Sequence, residues 1–504
     1  MDCVNTNTVN RSIKIVPFFA VVMAGAVVAF LNQTLINVAL PQIMNHLHIT
    51  ASTANWLSTI YMLTNGIVIP VTAYLMSRFT TRQLFLSAMG LFSAGTLICA
   101  IAPGFSVLLI GRVVQAAGAG IIFPLLTNVI FVLFPPNRRG FAMGIFGVAM
   151  NFAPAIGPTL SGWIVQNHSW RTLFFIILPI AIMDLIFASF IVKNVTETSR
   201  PKLDKLGVIL SSLGFGGILY GFSTGGAKGW DSTEVLLTLA VGIISLGLFV
   251  WRQFTVDHPI LEFRIFRYPV FSLTMVINIV VTMALFSGMI LMPIYMQNVR
   301  GFTPFMSGLM LLPGGIVMGI MSPITGRLFD RYGAKWLAIS GLAIMIVTTY
   351  ALTRLKLDTT FTYVVTVYTI RSFGMSILLM PIFTAGLNDL PLALNKFGTA
   401  MVNTFRMVAG AVGTAFFVSI MTNKGLIHTK AIMAAEHITP SDKMHALLAA
   451  REGAVMGIND AFMVATYLSV LGFILAFFIR KTAPGDKLRE KTVQPAKARA
   501  ATNS

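Results

Sequence analysis

Apolar segments about as long as a bilayer is thick recur from near the start of this chain to near its end, and nothing else limits its fold so tightly. Segments such as 16–40, 84–102, 106–134 and 171–192 reach or approach the about 20 apolar residues that a helix needs to cross a hydrocarbon core. Backbone groups find no water there, so the segments must be helices. Bounded by charges and turn residues, six spans lie near 16–40, 53–76, 84–102, 106–134, 140–165 and 171–192. Two more lie near 206–225 and 235–251, and six others near 269–294, 304–325, 336–353, 361–384, 398–421 and 456–479. With 56% hydrophobic and 11% charged residues, a soluble globular domain of 504 residues is excluded. The first span follows Arg11 and Lys14, is longer than a signal-peptide core and has no small-residue cleavage site, so it is expected to stay as helix one.

The net charge of +19 does not point to nucleic acid, because the basic residues sit in short loops between apolar spans. Most of the 36 Lys and Arg fall on one side of the span pattern, which predicts that both termini are cytoplasmic. Cys3 and Cys99 offer neither a disulfide framework nor metal-ligand spacing.

The spans come in two sets. PVTAYLMSRFTTR (70–82) aligns without a gap on PITGRLFDRYGAK (323–335), pairing Arg78 with Arg331 but Ser77 with Asp330. At nearly the same offset, Arg112 and PLLT (124–127) answer Arg371 and PIFT (381–384), and Ala142-Met143 answers Ala400-Met401. The predicted architecture is all-α and integral to the membrane, with two six-helix repeats plus two inserted helices. An arm (1–15) leads to the first half (16–192), a linker with the inserted pair (193–268) and the second half (269–480) with an external loop (422–455); a tail (481–504) closes the chain. Parallel repeats of this kind are a transporter design, with substrate handled at the midplane between halves. The glycine-rich inserted pair reads as peripheral packing.

The repeated segment resembles the cytoplasmic loop motif of the major facilitator superfamily. The second copy, Gly326 to Lys335, follows that pattern; the first departs from it at Ala73, Ser77 and Thr80. Gly111 to Gly120 is similar to the family's intramembrane arginine motif, and Ala153 to Gly162 to its antiporter motif. Leu31 to Pro41 is similar to the opening motif of the fourteen-helix drug:proton antiporters, and within that branch the chain looks most like the lincomycin-resistance type. The resemblance implies a major facilitator fold, residence in the cytoplasmic (inner) membrane, and export of amphiphilic drugs by proton antiport and alternating access. Lincosamide-like or other neutral to weakly basic compounds are the expected cargo.

Specific residues carry these expectations. Gly157 and Pro158 are expected to form a hinge in helix five, and Asp330 and Arg331, with Arg78 in the first copy, a conformational latch. Asp330 can pair with Arg327 or Arg331, or accept from the N-terminus of a neighbouring helix. Where many such antiporters have an acid in helix one, this chain has Asn32, which cannot carry a proton. Between Asp2 and Asp184 there is no acid at all, which makes Asp184, inside helix six, the leading proton carrier and Asp460 the second. Neutralisation of a buried arginine is the bland role open to Asp184. Arg112 is expected to assist coupling. Polar candidates for the substrate cavity are Asn32, Asn37, Tyr61, Asn65, Gln115, Asn151, Asn278, Tyr295, Gln297, Arg371, Asn403 and Arg406.

No phosphate-binding GxxxxGK[ST] loop, metal cluster or soluble catalytic domain is present in the sequence, so neither an enzyme nor a cofactor is expected. The expected partners are a small-molecule drug, protons and the lipid bilayer, with no nucleic acid, and a monomer is expected. A lipid or lipid-linked-metabolite translocator on the same fold would need a cavity open sideways to lipid. A receptor or scaffold would bind without flux.

Overall fold

The computed structural model describes residues 15–49, 51–195, 198, 203–257, 259–438 and 442–479. Side chains at 37, 38, 41, 51, 52, 55, 149, 151–155, 158, 226–228, 304 and 443 are outside the described residues. That places the side chains of Asn37, Asn151 and Pro158 outside the description.

The first half comprises α1 (Ile15–Leu47), α2 (Ala51–Arg78), α3 (Thr81–Ala100), α4 (Phe105–Leu133), α5 (Arg139–Asn167) and α6 (Arg171–Ile191). The inserted pair is α7 (Lys205–Lys228) and α8 (Thr233–Thr255). The second half comprises α9 (Pro269–Ile294), α10 (Pro304–Tyr332), α11 (Ala334–Ala351), α12 (Phe361–Asp389), α13 (Asn395–Ala435) and α14 (Lys443–Ala476). Thirteen of these helices are long and apolar enough to cross a membrane; α5, the other, contains the side chains outside the description at 149, 151–155 and 158. No strand occurs among the described residues.

The halves repeat in space as in sequence. In the first, α1 packs on α5 and α6, α2 on α4, and α3 on α4 and α6; α9 to α14 reproduce every one of these pairings. The repeat mates α4 and α12 are the most enclosed helices, whereas α6 presents Phe175, Ile180, Met183 and Phe187, and α8 Leu236, Leu237, Ile244 and Trp251, on their outer faces. Such stripes suit lipid, which solvates them as well as any core residue would.

The repeated motif shows why its two copies differ. Gly333, with φ 78°, turns the chain between α10 and α11 in the left-handed region, which favours glycine. At the matching place Thr80 has φ −68° and caps α3, accepting from Gln83 N while Gln83 returns a bond to its backbone. Thr80 is therefore a different solution to the same turn.

Two spans extend beyond their predicted ends. α13 continues to Ala435 and α14 begins at Lys443, so most of 422–455 is helical. Apolarity falls off there but helix-forming residues continue, and Asp442 caps α14 by accepting from His445 N at 3.3 Å. His445 Nδ1 also lies 2.7 Å from Asp442 Oδ2 and holds that carboxyl below its ordinary range.

The inserted helices are clamped together at their ends nearest Arg252. Asp204 caps α7 through Gly207 N (3.0 Å) and pairs with Arg252 of α8 at 2.7 Å. Burial works to raise the Asp204 pKa, but bonds from Arg252, Gly207 and Gln253 outweigh it and hold the carboxyl below its usual range.

Candidate functional site

The two intramembrane repeat arginines occupy matching positions but use different partners. Arg112, fully buried on α4, donates to Asn32 Oδ1 (2.8 Å), Gln115 Oε1 (2.8 Å) and the Leu57 carbonyl (3.3 Å), and lies 4.2 Å from the centre of the Tyr61 ring. Gln115 is held by Thr96 at 2.7 Å. Arg371, equally buried on α12, donates to Thr349 Oγ1 (3.2 Å) and the Ala284 carbonyl, and fills the space left open by Gly288. Thr96 and Thr349 stand in the same repeat register as Pro70 and Pro323, a signal present in the sequence. Neither arginine forms an ion pair among the described residues.

A cavity of about 610 Å³ lies between the halves. Its wall combines Gln33 of α1, Thr59 and Met62 of α2, Phe222 and Ser223 of α7, and Met289 of α9 with the 407–418 face of α13. Its lining contains no acidic or basic side chain. The polar groups differ from those expected. Asn32, Tyr61 and Gln115 surround Arg112; Asn278 accepts from Thr282 (3.4 Å); Asn403 is tied to Thr399 O of its own helix (2.8 Å). Gln297 lies in the π-helical turn Tyr295–Val299 at the end of α9, where Tyr295 bonds the Lys356 carbonyl at 2.6 Å. Asn32, Tyr61, Gln115, Asn278 and Asn403 are thus engaged within their own halves, and the cavity is left with Gln33, hydroxyls and apolar groups.

α7 is also not peripheral. It packs on both α2 and α13, with Ser223 bonded to Thr59 of α2 (3.1 Å) and Trp230, just beyond α7, donating to Ser419 of α13 (2.6 Å). The inserted helix thus stands across the α2–α13 seam.

The other seam, α5 against α10, is closed at the end of the bundle that carries Arg138, Arg327 and Arg331, the basic end. Asp330 accepts there from two backbone groups at the start of α5, Gly140 N (2.9 Å) and Phe141 N (3.0 Å). A carboxylate at a helix N-terminus meets both free N–H groups and the positive end of the helix dipole. Arg327 lies over the Phe141 ring (4.7 Å), and Arg139 bridges to Asn388 of α12 (3.1 Å). Asp330 and Arg331 lie in the last turn of α10 rather than past it, and Arg331 rests on Tyr332 (5.3 Å). In the first copy Ser77 turns back to Ala73 O of its own helix (2.9 Å), and Arg78 is exposed.

Asp184 is buried on α6, and its Oδ2 has no hydrogen-bond partner. The carboxylate occupies the space a side chain would fill at Gly25 of α1, beside Phe85 and Met89 of α3, and it neutralises no arginine within ion-pair distance. Asp460, expected at the start of the last helix, lies in the middle of α14, half-exposed and 2.9 Å from His428 of α13. Gly157 of α5 faces Thr34 of α1 within one continuous helix.

The comparisons agree with this architecture. Residues 22–414 match the family model described as Major Facilitator Superfamily. An uncharacterized MFS-type transporter, YhcA, of Bacillus subtilis (strain 168) is 48% identical, with 94% of each chain covered. The lincomycin resistance protein LmrB of Listeria monocytogenes is 40% identical over 94% of this chain and 98% of its own. In fold, the chain resembles the crystal structure of the human organic anion transporter MFSD10, with a TM-score of 0.63, 13% identity, and 92% of this chain and 99% of that one covered. Twin six-helix halves, a cavity between them and relatives matched along nearly their whole length lead to one conclusion: the chain belongs to the major facilitator superfamily and is a multi-pass membrane transporter, not an enzyme.

Proposed function

We propose that this protein exports amphiphilic drugs across the cytoplasmic membrane by proton antiport, its two halves rocking about the central cavity. The carrying observation is that cavity, apolar with scattered hydroxyls, above a seam closed at the basic end. The likeness to a lincomycin resistance protein supports drug cargo. On the positive-inside rule the basic end faces the cytoplasm, with both termini on that side, so the structure is read as facing outward. The rival lipid translocator calls for a cavity open sideways; α7 across one seam and the α5–α10 contact across the other speak against it.

Asp184 is our assignment for the proton carrier, and Asp330 for the latch of the outward-facing state. A carboxylate at a helix N-terminus contributes up to about 2 kcal/mol, roughly thirtyfold in a two-state equilibrium. Asp330→Asn is therefore expected to lower export about threefold to tenfold at normal expression; wild-type efflux from that variant would remove the latch.

Export itself is tested with lincomycin or a dye in everted vesicles under an imposed pH gradient. Uptake should appear when the vesicle interior is acid and vanish on adding an uncoupler. Uptake indifferent to the gradient would sink the antiport.

A further inference from the structure

Among the described residues, Arg406 is the intramembrane arginine whose hydrogen-bond partner is a thioether. It lies eleven residues into α13, about 17 Å along the helix axis. It is one turn below Gly410 and beside Met407, both of which line the cavity. The half-buried side chain crosses between the halves, and its Nη1 meets Met150 Sδ of α5 at 3.3 Å. Met150 lies one turn above Gly147, which packs on Ser322 and Met380 in the closed seam. The guanidinium therefore stands between the floor of the cavity and the closed gate.

A thioether is a weak acceptor for a guanidinium. Arg112 and Arg371 each take a backbone carbonyl and at least one side-chain oxygen, whereas Met150 is the sole hydrogen-bond partner of Arg406 among the described residues, and Arg406 has no ion pair there. An intramembrane cation is costly and is kept where it faces a partner or a cavity. The planar fork of arginine matches carboxylate, sulfonate or phosphate oxygens.

We infer that the cavity takes amphiphiles with an anionic group, the apolar body lying against Met62, Phe222 and Met289 and the anion reaching past the floor to Arg406, which stands just outside the lining beside Met407 and Gly410. This deepens the reading of the cavity as the substrate site and rests on it. It moves the expected cargo from neutral and weakly basic compounds to neutral and acidic ones, because no carboxylate lines the cavity to hold a cation. An anionic lipid headgroup has the same chemistry, but α7 across the α2–α13 seam favours a small solute.

The test uses the full-length protein in phosphatidylcholine nanodiscs, titrated with two fluorescent probes of one shape, 5-dimethylaminonaphthalene-1-sulfonate and its neutral sulfonamide. Wild type should bind the sulfonate about tenfold more tightly or better. Arg406→Gln should erase that preference while leaving the sulfonamide Kd within about twofold, which also reports an intact fold; Arg406→Lys should keep part of it. Equal affinities in wild type, or a preference that survives Arg406→Gln, would overturn the assignment. Loss of sulfonate binding when phosphatidylglycerol is added to the discs would give the site to a lipid headgroup and overturn the small-solute form. Binding is read without a gradient, so Arg406-dependent sulfonate binding with no gradient-driven flux would reject the export reading and leave the anion site standing.

Discussion

Asp184→Asn is expected to abolish gradient-driven export while leaving downhill exchange of substrate intact. Asparagine keeps the size and an acceptor oxygen but cannot gain or lose a proton. Asp184 is suited to the task by its surroundings: the glycine at position 25 gives it room, Phe85 and Met89 wall it with apolar surface, and Oδ2 is without a partner. A structural acid would be expected to have an arginine or several N–H donors, as Asp204 and Asp330 have. Two assays on the same vesicles decide: accumulation under an imposed pH gradient, and counterflow without one. Loss of the first with retention of the second is the expected pair. Full accumulation by the variant would move the proton elsewhere, and loss of both would indicate damage to packing instead.

Gly144→Val is expected to cut export about tenfold or more by holding the α5–α10 seam apart. A Cβ at Gly144 would stand 2.8 Å from Pro323 Cα and against the Ser322 carbonyl, and backbone on the facing helix cannot swing aside as a side chain can. Overpacking of this kind costs about 1 to 3 kcal/mol, which displaces a two-state equilibrium by about fivefold to more than a hundredfold. A reporter cysteine replacing Met380, buried beside Gly147 at the same contact, should become reactive to a thiol reagent from the basic end. Normal export together with an unreactive cysteine would show that the seam does not need this closeness.

Much of the architecture was legible in the sequence because the membrane makes apolar length decisive, and the repeat register then fixes which helices correspond. The register even pairs Thr96 with Thr349: Thr349 accepts from Arg371 directly, and Thr96 accepts from Gln115, which itself accepts from Arg112. Asp330 at a helix N-terminus was one of the arrangements its position allowed. The cavity wall was not legible. Which of Asn32 or Gln33 faces the space between halves depends on a rotation of one residue about the α1 axis, and a helix apolar all round carries no periodic signal to set it. The place of α7 was hidden for a related reason: its glycines permit close packing without naming the neighbour. α13 and α14 run on past their apolar spans because hydropathy marks where lipid ends, not where a helix does.

The one-sided latch has a consequence for the empty protein. Asp330 ties the α5–α10 seam shut at the basic end, while Ser77, its repeat mate at the same end, bonds the Ala73 carbonyl of its own helix. A carboxylate that bonds across the basic end only while that end is shut lengthens the time it stays shut. If the basic end faces the cell interior, the unloaded transporter idles with that end shut and its vacant chamber turned to the outside. Intracellular cargo then meets a scarce, inward-open minority, so its apparent affinity is weaker than the chamber's own in proportion to how small that inward-open fraction is. The same bias keeps an unloaded carrier from offering protons an easy way in, and a cell that makes much of this protein would lose little of its gradient to leakage.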